Sequence, residues 1–74
     1  MKRLLEILES IRPDVDFVNE KKLIEGGFLD SFDVVSIISE LNDEYNIRIG
    51  VTDLGPENFD SVERIMKMIK RLKG

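Results

Sequence analysis

One serine in this chain stands where hydroxyl chemistry and helix geometry meet. The run Gly26-Gly27-Phe28-Leu29-Asp30-Ser31-Phe32 places Ser31 at the start of an acidic, amphipathic segment. A hydroxyl there can cap the helix by accepting from a free first-turn amide, which is worth about 1 kcal/mol. It can also be an attachment point, because the free amides and the positive end of the helix dipole there favour an anionic group. Asp30 can equally be the cap, since its carboxylate can accept from the same amides.

Other chemistry is scarce. The chain has 74 residues, no cysteine and no histidine. Disulfides, thiolate nucleophiles and histidine bases are therefore excluded. The acids between residues 14 and 20 lack the ligand spacing of a calcium loop, and Met66 and Met68 read as packing and helix-edge residues. Gly26-Gly27 lacks the spaced glycines and lysine of a phosphate loop. No catalytic or metal-ligating residue is assigned. A chain this short makes one domain, residues 1–74, with a small core and no room for a deep pocket plus a catalytic apparatus. It reads as a binding or carrying module and not an enzyme.

Charge is unevenly spread. The net charge is -4, yet from Glu25 to Glu63 ten acidic residues face one basic residue, Arg48. That middle would repel a phosphate backbone, so no nucleic-acid partner is expected. The start, Met1-Lys2-Arg3-Leu4-Leu5, resembles a signal peptide until Glu6 and Glu9 break the apolar run, and no small-residue cleavage site follows. No apolar stretch has membrane-spanning length. A cytoplasmic protein without stable membrane association is expected.

The elements that must position Ser31 follow from apolar spacing. Leu4, Leu5, Ile7, Leu8 and Ile11 predict a helix from about Lys2 to Ile11, stopped by Pro13. A long connection follows, pinned to the core by Val15, Phe17, Leu23 and Ile24. The second helix is expected over Ser31–Tyr45, with Asp30 or Ser31 as its cap. Val34, Val35, Ile37, Ile38, Leu41 and Tyr45 form its inward arc. Ser36, Ser39, Glu40, Asp43 and Glu44 lie opposite, and Phe32 projects away from the core. Ile47, Ile49 and Val51 alternate like a strand, but with no ladder partner they read as an extended loop packing down. Pro56-Glu57-Asn58-Phe59 predicts a short helical turn. Asp60 or Ser61 starts the last helix, Asp60-Ser61-Val62-Glu63 having capping-box form if Asp60 is the cap, and Val62, Ile65, Met66, Ile69 and Leu72 stripe it. Such helices must pack together to be stable.

With these elements in place the chain resembles the acyl carrier protein superfamily over nearly its whole length. Leu29-Asp30-Ser31-Phe32 stands where that family has an Asp-Ser-Leu-type motif, with Gly27 in the approach and Asp43-Glu44-Tyr45 closing the helix. Phe32 in place of the usual leucine is shared with D-alanyl carrier proteins. Gly50 stands where many members have proline. The resemblance implies an all-α four-helix bundle of three main helices and one short one, with a long first loop. It implies a 4'-phosphopantetheine arm on Ser31, transferred from coenzyme A, whose thiol holds acyl or aminoacyl groups as thioesters. Asp30 and Phe32 would serve transferase recognition.

The resemblance also implies partners: a phosphopantetheinyl transferase, a loading ligase or acyltransferase, and a downstream synthase or transferase. The pathway is open between fatty acid, secondary metabolite, peptide and D-alanylation chemistry. Asp33, Ser36, Ile37, Glu40, Asp43 and Glu44 would form the docking face, where acids speed encounter with basic patches. A monomer is expected, since the apolar stripes are all needed for one core. The start at Met1 and the stop after the last helix favour a free-standing carrier. The competing reading is an unmodified acidic interaction module in which Ser31 only caps.

Overall fold

Sequence periodicity and packing agree on an all-helical chain. The structure, a computed structural model, describes residues 2–73. Met1, Gly74 and the inward packing expected of the Val51 side chain lie outside the described residues. Four helices follow in order: α1 (Lys2–Ile11), α2 (Ser31–Tyr45), the short α3 (Pro56–Phe59) and α4 (Val62–Lys73), with a 3-10 turn at Val51–Asp53. Helix α1 packs on α2 and α4, and α3 packs on α4. The Cα radius of gyration is 11.0 Å, close to the ~11 Å of a folded chain of this length.

The core is drawn from every element. Leu4, Ile7 and Leu8 of α1 meet Ile37 and Leu41 of α2, Phe59 of α3, and Val62, Ile65, Met68 and Ile69 of α4. Each such side chain contributes roughly 1.5–3 kcal/mol on burial, set against conformational entropy of similar total size. Met68, expected at the helix edge, is inside, while Met66 is only partly covered. The first loop is pinned as expected by Val15, Phe17 and Leu23, with Ile24 half-buried and Leu29 added to the core.

Two termini show how local chemistry sets the boundaries. Helix α2 ends at Asn46, whose left-handed backbone (φ 54°) lets its amide return to the Asn42 carbonyl. The Asn42 side chain then accepts the Ile49 amide at 3.0 Å, which ties down the extended loop. Of the two starts that the sequence offers for α4, Ser61 is the cap, its hydroxyl accepting the Arg64 amide at 3.2 Å, and the Asp60 capping box is not formed. The Asp60 carboxylate is instead drawn to the Ile24 and Glu25 amides of the first loop. A buried carboxylate facing two amides gains more there than at a solvent-facing helix end. Lys70, Arg71 and Lys73 complement the dipole at the end of α4.

Candidate functional site

At the start of α2 the ambiguity between Asp30 and Ser31 is resolved. Asp30 has the extended backbone of a cap, and its Oδ1 accepts the Asp33 amide at 2.9 Å. Asp33 Oδ2 accepts the Asp30 amide in return at 3.2 Å, closing a capping box made of two aspartates. Arg12 Nη1 donates to the same Asp33 oxygen at 2.6 Å, while its Nε and Nη2 hold Asp14, each at 3.2 Å. Ser31 is the first helical residue and is exposed. Among the described residues, the side-chain bonds of this turn join Asp30, Asp33 and Arg12 and leave out the Ser31 hydroxyl. The reading of Ser31 as only a cap is thereby corrected, because a residue already helical cannot reach back over the first-turn amides.

The approach to this turn is built by backbone contacts. The Leu23 carbonyl accepts the amides of both Phe28 and Leu29 at 3.0 Å, and the Lys22 carbonyl accepts the Gly26 amide at 2.7 Å. A Cβ on Gly26 would lie 2.5 Å from that carbonyl oxygen and 2.9 Å from the Phe28 ring, so only glycine fits. Gly27 has φ 78°, a conformation that costs other residues. The pair thus turns the chain sharply enough to deliver Leu29 into the core and Ser31 to the surface.

Beside Ser31 lies an open apolar cleft of about 540 Å³. Ile24, Leu29, Val34, Leu54 and Phe59 form most of its wall, with Asp30, Ser31 and Gly55 polar or small at its rim. Nothing in the sequence pattern located it, since its walls come from three separated segments. Val35 also borders it and is 65% exposed, not part of the core arc. At about 100° per residue Val35 sits far to one side of the Ile37–Leu41 line, so its phase held the signal.

The expected docking face is partly redrawn. Phe32 projects outward at 85% exposure. Ser36, Glu40 and Asp43 are exposed on the same helix. Ile37, expected both in the inward arc and on the docking face, is fully buried and is a core residue only. Asp33, also expected there, has a side chain only 13% exposed and is spent on the cap and Arg12. Glu44 is exposed but pairs with Arg3 at 3.1 Å. Asp30, Glu40 and Asp43 have no cationic partner among the described residues. What remains is an outward strip with apolar Phe32 and Val35 at its head and acids toward its tail.

These residues suit a covalently bound phosphodiester group. The hydroxyl is exposed, the first-turn amides of Ser31 and Phe32 have no intrahelical acceptor, and the adjoining cleft is open. Among the described residues no group of three or more side chains is placed to hold a metal ion, and no helix is long and apolar enough to cross a membrane.

Comparison with known proteins agrees with this geometry. The family model described as phosphopantetheine attachment site matches residues 1–69. The D-alanyl carrier protein of Streptococcus uberis is 30% identical over 60 residues, covering 81% of this chain and 76% of that protein. The D-alanyl carrier protein of Streptococcus sanguinis is 28% identical over 71 residues, covering 95% and 90%.

Proposed function

The chain belongs to the phosphopantetheine-attachment-site family, and from that premise we propose that Ser31 is its attachment residue and that it presents acyl or aminoacyl groups to partner enzymes. The observation that carries this reading is the exposed Ser31 hydroxyl, left unspent because Asp30 supplies the cap. The family's prosthetic group, a covalent 4'-phosphopantetheine, supplies the thiol that this cysteine-free chain lacks, on which cargo is held as a thioester. The chain's own residues do the rest. First-turn amides of α2 offset phosphodiester charge. Asp30 is exposed and uses only Oδ1 in the capping bond, so its other carboxylate oxygen is left to face the transferase. The protein is a carrier and the catalytic groups belong to its partners. Those are a phosphopantetheinyl transferase, a loading ligase or acyltransferase, and an acceptor enzyme, with the carrier a monomer in the cytoplasm. Given relatives named for D-alanyl and the shared Asp-Ser-Phe motif, D-alanine is the first cargo to try.

Incubation with coenzyme A and a broad-specificity transferase should add one phosphopantetheinyl group by intact mass, and peptide mapping should place it on Ser31. An unmodified, folded chain beside an active control carrier would overturn the assignment.

The outward strip is proposed as the docking face. An exposed aromatic at the head of an acidic strip suits a partner that offers an apolar pocket for the ring and basic residues beside it. Phe32→Ala should leave the melting temperature nearly unchanged, since the ring is already solvated, and raise the transferase KM about tenfold. Steady-state kinetics with circular dichroism check both parts.

A further inference from the structure

The contact between Arg12 and Asp33 joins two parts of the chain that are 21 residues apart. Arg12 follows α1, and its amide still bonds the Leu8 carbonyl at 3.0 Å, so its backbone is anchored to that helix. Its guanidinium is fixed by three hydrogen bonds, two to Asp14 and one to Asp33. Asp33 is therefore gripped from two sides, by Arg12 and by the Asp30 amide on one oxygen. Asp30, the residue before Ser31, is in turn bound to the Asp33 amide. The chain of contacts runs from α1 through Arg12, Asp33 and Asp30 to the attachment turn.

Helix ends fray, and a first turn held only by its own cap moves readily. Here the cap is bolted to a second helix. Modification needs the hydroxyl held in line with a phosphate in another protein's active site, where a displacement of 1 Å can cost about 100-fold in rate. We propose that Arg12 is a positioning residue for the modification of Ser31, holding the first turn of α2 against α1 through Asp33. This rests on the reading of Ser31 as the attachment residue. Arg12 touches neither the serine nor the donor, and its effect passes through the Asp30–Asp33 box. The docking strip on α2 does not include Arg12, so binding and turnover should separate.

The test is transferase kinetics on the full chain with Arg12→Gln, Asp33→Asn and the double variant, beside Arg12→Lys. Arg12→Gln should lower kcat for phosphopantetheinylation about tenfold and leave KM within about twofold. Asp33→Asn weakens the same bond from the other side and also the acceptor of the Asp30 amide, so it should lose at least as much. The double variant should be no worse than Asp33→Asn alone, because Arg12 acts on this turn only through Asp33. Arg12→Lys, which keeps the charge, should recover part of the rate. Amide hydrogen exchange should quicken at Asp33 and Val34 while α4 stays protected, a local change that general loss of stability would not produce. Wild-type kcat in both single variants, a loss confined to KM, or a uniform rise in exchange overturns the proposal. A wild-type chain that gains no group on Ser31 overturns the underlying reading along with it.

Discussion

Replacing Ser31 with alanine is expected to abolish phosphopantetheinylation and leave the fold as stable as before. The two halves of that result come from one geometric fact. Were Ser31 the cap, its loss would cost about 1 kcal/mol and, in a chain this small, lower the melting temperature by about 4–8 °C. Asp30 is the cap, so Ser31→Ala removes an exposed hydroxyl outside the capping bonds and should shift stability by no more than about 0.5 kcal/mol.

Other serines offer poor substitutes. Ser10 donates to the Ile7 carbonyl at 2.7 Å. Ser61 is buried and caps α4. Ser36 and Ser39 are exposed on α2 but lie inside the helix, where the surrounding amides are spent on intrahelical bonds. Intact mass after incubation with coenzyme A and transferase, with a thermal melt of each protein, reads both halves. A full mass gain in the variant would move the attachment to another residue. A large drop in melting temperature would mean the hydroxyl serves the fold after all.

What was legible in the sequence, and what was not, divides along the range of the interactions. The boundaries of α1 and α2 follow from nearby residues: Pro13 after one, and Asp30 and Asn46 around the other. Ser31 could be singled out as a surface hydroxyl at a helix start because that too is local. Asp60-Ser61-Val62-Glu63 has the form of a capping box, yet the carboxylate of Asp60 went to residues 35 and 36 positions away. No periodicity encodes such a choice. It depends on the first loop passing over the start of α4. Arg12 carries no local signal for the same reason, since its partner Asp33 is 21 residues away and reads in the sequence as one of the docking acids. Val35 and Ile37 are different. Both sit on a helix of known phase, and a stricter reading of that phase separates exposed Val35 from buried Ile37.

Asp60→Ala should be the most damaging single change at the attachment end of the molecule, costing about 3 kcal/mol and lowering the melting temperature by roughly 15 °C. The residue is 4% exposed. Its Oδ1 accepts the Ile24 amide at 2.8 Å and the Glu25 amide at 3.0 Å, and its carbonyl accepts the Leu23 amide at 2.8 Å. Alanine keeps the backbone bond and leaves two amides without their acceptor. The damage should reach Ser31, because the Leu23 carbonyl holds Phe28 and Leu29, and Ile24 and Leu29 wall the cleft.

The pH dependence follows from the same contacts. Burial pushes the Asp60 carboxyl upward, but the bonds from the Glu25 and Ile24 amides, helped by Arg64, outweigh it and hold the group below the usual carboxylate range. A carboxyl depressed by folding stabilises fully above its unfolded pKa of about 4, and that contribution is lost as pH falls through the lower folded value. Asp60→Asn keeps an acceptor and removes the titration. Wild type should melt above Asp60→Asn at pH 7, and the gap should close as pH drops below about 4. Melting curves of the two proteins from pH 7 to pH 2 give the comparison. A gap that stays constant, or widens in acid, would show that the carboxylate's charge is not what holds the first loop to α4.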